Sequence, residues 1–181
     1  MRALQAIGMG LLVILVVAGT PDLLPDPLGW LLVLHGVRRL PGDLPRRRGL
    51  AVLGGLALVV SVPVWIPSVA DRLLAADPSL QWAVNLPQLG FVVVLGTALG
   101  LAATEHGDTA ARGWWFLVAT LTALAAIAPV VVFGGGVAAL ETPAIILAGA
   151  VLLTAIALCF VHAGRDWAGE PASATTQGRP S

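Results

Sequence analysis

The chain of 181 residues is 57% hydrophobic and only 11% charged, and its mean hydropathy of +0.91 lies well above that of a soluble domain with a polar surface. Ten acidic and ten basic residues cancel to a formal net charge of zero, which removes any global electrostatic argument for a nucleic-acid partner. The single cysteine, Cys159, excludes an intrachain disulfide, a CxxC redox pair and a thiolate metal cluster.

This is the composition of an integral membrane protein, so the elements are read against a bilayer. A helix rises about 1.5 Å per residue, and a hydrocarbon core of roughly 30 Å takes about 20 apolar residues to cross. Residues 3–19 form a first apolar run, slightly short and free of charge after Arg2. A cleaved signal peptide is its alternative reading, with small residues at Ala18 and Gly19. The many later spans favour an uncleaved first helix.

A short second helix is expected over 27–40. Asp26 supplies a cap for free N–H groups, Pro27 suits the first turn, and Pro41 with Gly42 end the helix. It reaches about 21 Å, enough to cross only if neighbours shield it, the bilayer thins, or Arg38 and Arg39 snorkel. Full-length runs follow at 49–69, 85–103, 113–133 and 143–163. The connection over 70–82 reads as a short interfacial helix ending before Pro78, and Pro63, Pro67 and Pro129 mark kinks near the outer ends of two spans. Residues 168–181 are small and polar, and read as a disordered cytoplasmic tail. The expected architecture is an all-α membrane protein, a six-helix transmembrane bundle with a short second helix, in one domain over 1–167.

Charge orients this bundle, because arginine-rich short loops stay cytoplasmic. With six spans and the N-terminus inside, Arg2, Arg38, Arg39, Arg46, Arg47, Arg48, Arg112, Arg165 and Arg179 fall on the inner side, and Arg72 alone falls outside. The Arg38, Arg39, Arg46, Arg47 and Arg48 cluster sets the topology. Both termini are therefore expected in the cytoplasm of a multi-pass plasma-membrane protein. Trp30, Trp65 and Trp82 lie near the outer boundary, and Trp114, Trp115 and Trp167 near the inner one, as headgroup-level anchors would.

Candidate chemistry is sparse. Asp22 and Asp26 are four apart, but Pro25 and Pro27 bias their predecessors toward extended backbone, which favours a loop and a cap over an acid pair. His35 is ionisable inside a span and so raises a functional question, yet nine helical residues put it about 13 Å from Asp26, and a histidine setting helix depth is favoured. Gly29, Val33 and Gly36 form a small stripe suited to close helix packing, and Gly96 and Gly100 repeat the idea as GxxxG. Glu105, His106 and Asp108 read as a solvated turn, and Cys159 with His162 supply only two ligands of the four a structural zinc needs. The glycines of 134–136 lack the Lys and Ser/Thr of a phosphate loop. No catalytic residues, cofactor or metal site are expected.

The stretch PDLLPDPLGWLLVLHGVRRL resembles a pattern, D-x-x-P-D-x-x-G-[YW]-x-L-x-x-x-G-x-x-x-L, of small multi-spanning bacterial membrane proteins of unknown function. Asp22, Pro25, Asp26, Gly29, Trp30, Leu32, Gly36 and Leu40 carry the match. The resemblance implies a hairpin between the first and second helices and supplies no activity.

The expected function is that of a noncatalytic membrane component, a partner or assembly subunit whose surroundings are the lipid bilayer and a membrane-protein partner or second copy. The alternative is a small transporter or lipid-handling protein with a cavity near the second helix, lined around His35 and the threonines. An enzyme ranks third, because no nucleophile and base fall together.

Overall fold

The computed structural model describes residues 1–17, 26–75, 78–136 and 138–169. They are helical almost throughout: α1 (Ala3–Val17), α2 (Asp26–Arg38), α3 (Arg47–Val64), α4 (Pro67–Leu74), α5 (Pro78–Glu105), α6 (Thr109–Pro129) and α7 (Glu141–His162). A π turn, Val130–Gly134, extends α6 past Pro129, and short 3-10 turns occupy Ala138–Leu140 and Asp166–Ala168. Four helices, α3, α5, α6 and α7, contain segments long and apolar enough to cross a membrane.

Helix boundaries depart from the hydropathy runs where local chemistry intervenes. α3 stops at Val64 rather than 69, because Pro67 disfavours helical backbone at the residue before it and Ile66 is extended, with φ −80° and ψ 118°. Pro67 then opens α4 in the first-turn position where its missing N–H costs nothing. α5 begins at Pro78 instead of 85, since its first turns carry Gln81 and Asn85, polar residues that lower hydropathy without opposing a helix. α6 begins at Thr109 instead of 113 because Asp108 caps it. The tail boundary also moves: Ala168 is buried in the last 3-10 turn, and the rest of the expected tail, 170–181, lies outside the described residues.

The long helices and α2 close a ring in the order α1, α2, α3, α5, α6, α7 and back to α1. Neighbours run antiparallel. Gly10 meets Gly29 and Val33 while Gly36 meets Ala3 and Ile7, and Gly49 faces Val94 while Leu53 faces Gly90. An even number of helices lets every adjacent pair in such a ring alternate. Trp30 of α2 and Phe91 of α5 meet edge to face across the interior at 5.5 Å, an arrangement aromatic rings favour.

Glycine sets how closely some pairs approach. A Cβ on Gly10 would lie 2.5 Å from the Gly29 carbonyl oxygen, and one on Gly96 2.7 Å from the Trp115 carbonyl oxygen, so backbone touches backbone at both contacts. Without a hydrophobic drive between helices in lipid, such approach is a main source of association. The stripe expected on α2 is thus seated on α1, and the GxxxG pair of α5 is seated on α6, where Gly100 faces the Phe116 ring.

The outer surface, unlike that of a soluble fold, is as apolar as the interior. Val52, Leu56, Val59 and Val62 of α3, Leu117, Leu124 and Ile127 of α6, and Ile145, Ile146, Leu153 and Val161 of α7 are all exposed. On α3 and α6 they are spaced three, four or seven residues apart, and on α7 adjacent Ile145 and Ile146 are followed at seven and eight residues, so each helix carries apolar side chains down its outer face. The arginine contacts collect where the chain ends and short loops meet. The Arg47 guanidinium donates to the Arg38 and Val37 carbonyls at 2.7 and 3.4 Å, satisfying the open C-terminus of α2. Arg39 donates to the Met1 carbonyl at 2.7 Å and Arg2 to the Ala163 carbonyl at 3.5 Å. Arg46 holds a left-handed backbone, φ 62°, at the entry to α3 and reaches the Thr97 hydroxyl at 3.4 Å. These contacts, with the Arg165–Asp108 pair described below, tie the arginine loops to one end of the ring, and Arg72 sits in α4 at the other.

Candidate functional site

The residues singled out in the sequence separate in the fold. Asp22 and Pro25 lie outside the described residues. Asp26 opens α2, half-buried, with Oδ1 buried and unpartnered. Gly29, Trp30 and Gly36 are buried on the face turned to α1 and α5, whereas His35 is exposed. Arg38, Arg39, Arg46 and Arg48 are exposed, and Arg47 is half-buried along the α2 carbonyls. Glu105 and His106 are exposed, and His106 Nδ1 donates back to the Ala102 carbonyl at 2.9 Å. Among the described residues no group of three or more His, Cys, Asp or Glu is placed to hold a metal.

Of the six tryptophans, Trp65 and Trp114 present exposed rings, as anchors would. Trp30, Trp115 and Trp167 are buried, and Trp82 donates its indole N–H to the Ala126 carbonyl at 3.1 Å. Packing decides which of the rings face outward.

What the fold brings together is a cluster at the arginine end, between the start of α6 and the end of α7. Asp108 precedes α6 and its Oδ1 accepts the Ala111 N–H at 3.1 Å, the bond expected of a capping aspartate. Its Oδ2 lies 3.7 Å from Arg165 Nε. Three residues before Arg165, His162 ends α7 with its ring buried, 5.9 Å from the Trp115 ring on one side and 5.6 Å from Trp167 on the other. The last 3-10 turn folds back against α5 and carries Trp167 into this space. The Trp167 side chain lies beside the Asp108 carboxylate.

Electrostatics at Asp108 follows from these neighbours. The Ala111 N–H, and after it the Arg165 guanidinium, hold the carboxyl below its ordinary value against the opposing effect of partial burial. A carboxyl whose folded value is depressed adds stability above its unfolded value, near 4, and loses it as pH falls through the lower folded value. We therefore expect Asp108→Asn to flatten the thermal stability profile between about pH 5 and pH 2. Asp108→Ala is expected to lower the melting temperature by about 2–4 °C at neutral pH through loss of the cap. Scanning fluorimetry of the detergent-solubilised variants checks both, and an unchanged acid limb in Asp108→Asn would remove the cap from the account.

Sequence reasoning treated the members of this cluster apart: Asp108 as part of a solvated turn, His162 as a partner of Cys159, Trp115 and Trp167 as interfacial anchors. Cys159 instead packs beneath Gly8 of α1 and is buried. One local signal was available, an Asp immediately before a Thr-Ala-Ala helix start. The pairing of that Asp with the end of α7 rests on tertiary contact. No protein family, curated protein or solved structure that the chain was compared with matches it.

Proposed function

We propose that the chain is a six-span integral membrane protein of a bacterial plasma membrane, with both termini cytoplasmic, that works as a noncatalytic component or partner subunit of a membrane assembly. The observation that supports this reading is the distribution of polarity. Apolar stripes face outward on α3, α6 and α7, closely packed side chains and glycine contacts fill the space between helices, and charged contacts gather at one end. In such a bundle the surfaces left for work are the lipid-facing helix flanks and the rims. α2 crosses as a short helix because α1 covers its glycine face and Arg47 satisfies its carbonyl end.

The topology has a direct test. In a Cys159→Ala background, a cysteine placed at exposed Asp43 is expected to resist a membrane-impermeant maleimide in intact cells and to label after permeabilisation, while one at exposed Asp71 labels in both. Labelling of position 43 in intact cells would overturn the six-span orientation. The subunit reading is tested by purification in mild detergent with mass spectrometry, where a stoichiometric membrane-protein partner is the expected result. Recovery of the bare monomer under several mild detergents would count against it.

A further inference from the structure

Charge is unevenly divided between the two ends of the bundle. Among the described residues, eight arginines at one end meet four carboxylates, Asp43, Glu105, Asp108 and Asp166, whereas at the other end Asp26, Asp71 and Glu141 outnumber Arg72. The positive excess is not neutralised within the described chain. Only Arg165 pairs with a carboxylate. Arg2, Arg39 and Arg47 donate to main-chain carbonyls and Arg46 to a threonine hydroxyl, which satisfies their N–H groups and leaves their charge. Arg38, Arg48 and Arg112 are exposed and make no hydrogen bond or ion pair among the described residues.

Two of those three stand on adjoining turns. The Arg47 guanidinium donates to the Arg38 carbonyl at 2.7 Å and so holds the first turn of α3 against the last turn of α2. Arg38 closes the exposed face of α2, formed by Leu28, Leu31 and His35 at steps of three and four residues. Arg48 opens the exposed face of α3, where Val52, Leu56 and Val59 follow at the same steps. The two helices are neighbours in the ring and meet where Leu34 lies against Gly54. Two aliphatic faces therefore run alongside each other to two free cations at one end. Asp43, in the loop between them, pairs with neither.

This arrangement specifies a ligand. It must carry negative charge, and a planar guanidinium suits the paired oxygens of a phosphate or carboxylate. It must also carry a long apolar body, because the surface beyond His35 is aliphatic on both helices. A phospholipid joins the two in one molecule. An acidic headgroup fits better than a zwitterionic one, whose own ammonium competes for the phosphate. An acidic loop of a partner protein would match the arginines and leave both aliphatic faces without a role.

We propose that the adjoining outer faces of α2 and α3 bind an acidic phospholipid. Arg38 and Arg48 hold its phosphate, His35 supplies a further donor, and the acyl chains lie along Leu28 and Leu31 on one helix and Val52, Leu56 and Val59 on the other. The site rests on the six-span reading, which sets the arginine end at headgroup depth.

Native mass spectrometry of the full chain released from detergent tests this, with phosphatidylglycerol and phosphatidylcholine of the same acyl chains supplied in equal amounts. The first lipid retained is expected to be phosphatidylglycerol, by roughly tenfold or more. Arg38→Gln and Arg48→Gln should each cut that preference about fivefold, the worth of one basic residue at an anionic surface, and together they should bring it near parity. Neither residue makes a hydrogen bond that the fold would lose, and the wild-type preference decides even if a variant fails to fold. Arg112→Gln removes an equally unpaired charge from the same end and Arg72→Gln one from the other, and both should leave the preference nearly unchanged. No preference in the wild type, or an equal loss in Arg112→Gln, would overturn the site. So would displacement of the lipid by excess glycerol phosphate, which has the charge without the chains, or an acidic polypeptide retained in its place that phosphatidylglycerol does not displace. Labelling of position 43 from outside strikes the orientation, whereas a missing preference with position 43 inside strikes the lipid site alone.

Discussion

Gly10→Leu is expected to lower the melting temperature of the detergent-solubilised protein by roughly 4–10 °C, from an overpacking cost of about 1–3 kcal/mol. The reason is the kind of atom that a new side chain would meet. A Cβ on Gly10 lies 2.5 Å from the Gly29 carbonyl oxygen and 2.8 Å from the Val33 nitrogen. Both are helix backbone, so no rotamer change on α2 relieves the clash, and α1 and α2 must separate as bodies. Separation also lifts Gly36 from Ala3 and Ile7 and Gly29 from Ile14, so the loss spreads along the whole antiparallel contact. Gly55→Leu is the matched control, because nothing lies within 4 Å of a Cβ there. Differential scanning fluorimetry of the two variants beside the wild type gives the comparison. Equal melting temperatures for Gly10→Leu and Gly55→Leu would mean that the α1–α2 contact does not hold the bundle together.

The α1–α2 contact was half legible in the sequence. Gly29, Val33 and Gly36 lie on one face at helical spacing, and that was enough to read α2 as closely docked. The partner was not legible, because Gly10 of α1 sits in a run of apolar residues that carries no sign of which face is packed. In a soluble protein, polar and apolar faces alternate with the core and so reveal which side of a helix is buried. Here exposed Val52 and Val59 and interior Leu50 and Ala57 have the same polarity, and periodicity loses its contrast. Proline acts locally but was misread: Pro67 and Pro78 open helices, where the sequence alone suggested a kink at the first and a helix stop before the second. Arginine kept its meaning. Helix C-termini carry unpaired carbonyls, and the guanidiniums of Arg47 and Arg2 reach them, so the residues that would orient the chain in a membrane also finish its helices. The cluster around His162 was the least legible feature. Its members stand at 108, 115, 162 and 167, and only the closure of the ring between α7 and its neighbours brings them together.

Trp115→Ala is the second substitution of large expected effect, and its neighbour supplies the contrast. Trp115 is fully buried, whereas Trp114 is 52% exposed, so one step along α6 carries the same side chain from the interior to the outer surface. Removing a buried tryptophan side chain costs about 3–5 kcal/mol in water-soluble proteins. Part of that cost is transfer from water, which is absent where the unfolded helix remains in lipid. The lost dispersion contacts and the void remain, together with the aromatic face that supports His162. We expect Trp115→Ala to lower the melting temperature by roughly 6–12 °C, the lower part of the range from those figures, and Trp114→Ala to change it by less than about 2 °C. Trp115→Phe should fall between them, since it retains a ring against His162 and gives up the indole N–H. If Trp114→Ala proved as damaging as Trp115→Ala, the assignment of α6 faces would be wrong, and with it the seating of Gly96 against the Trp115 backbone. If both were harmless, the α6–α7 cluster would contribute little to holding the ring closed, and the His162 sandwich would be an incidental contact of two helix ends.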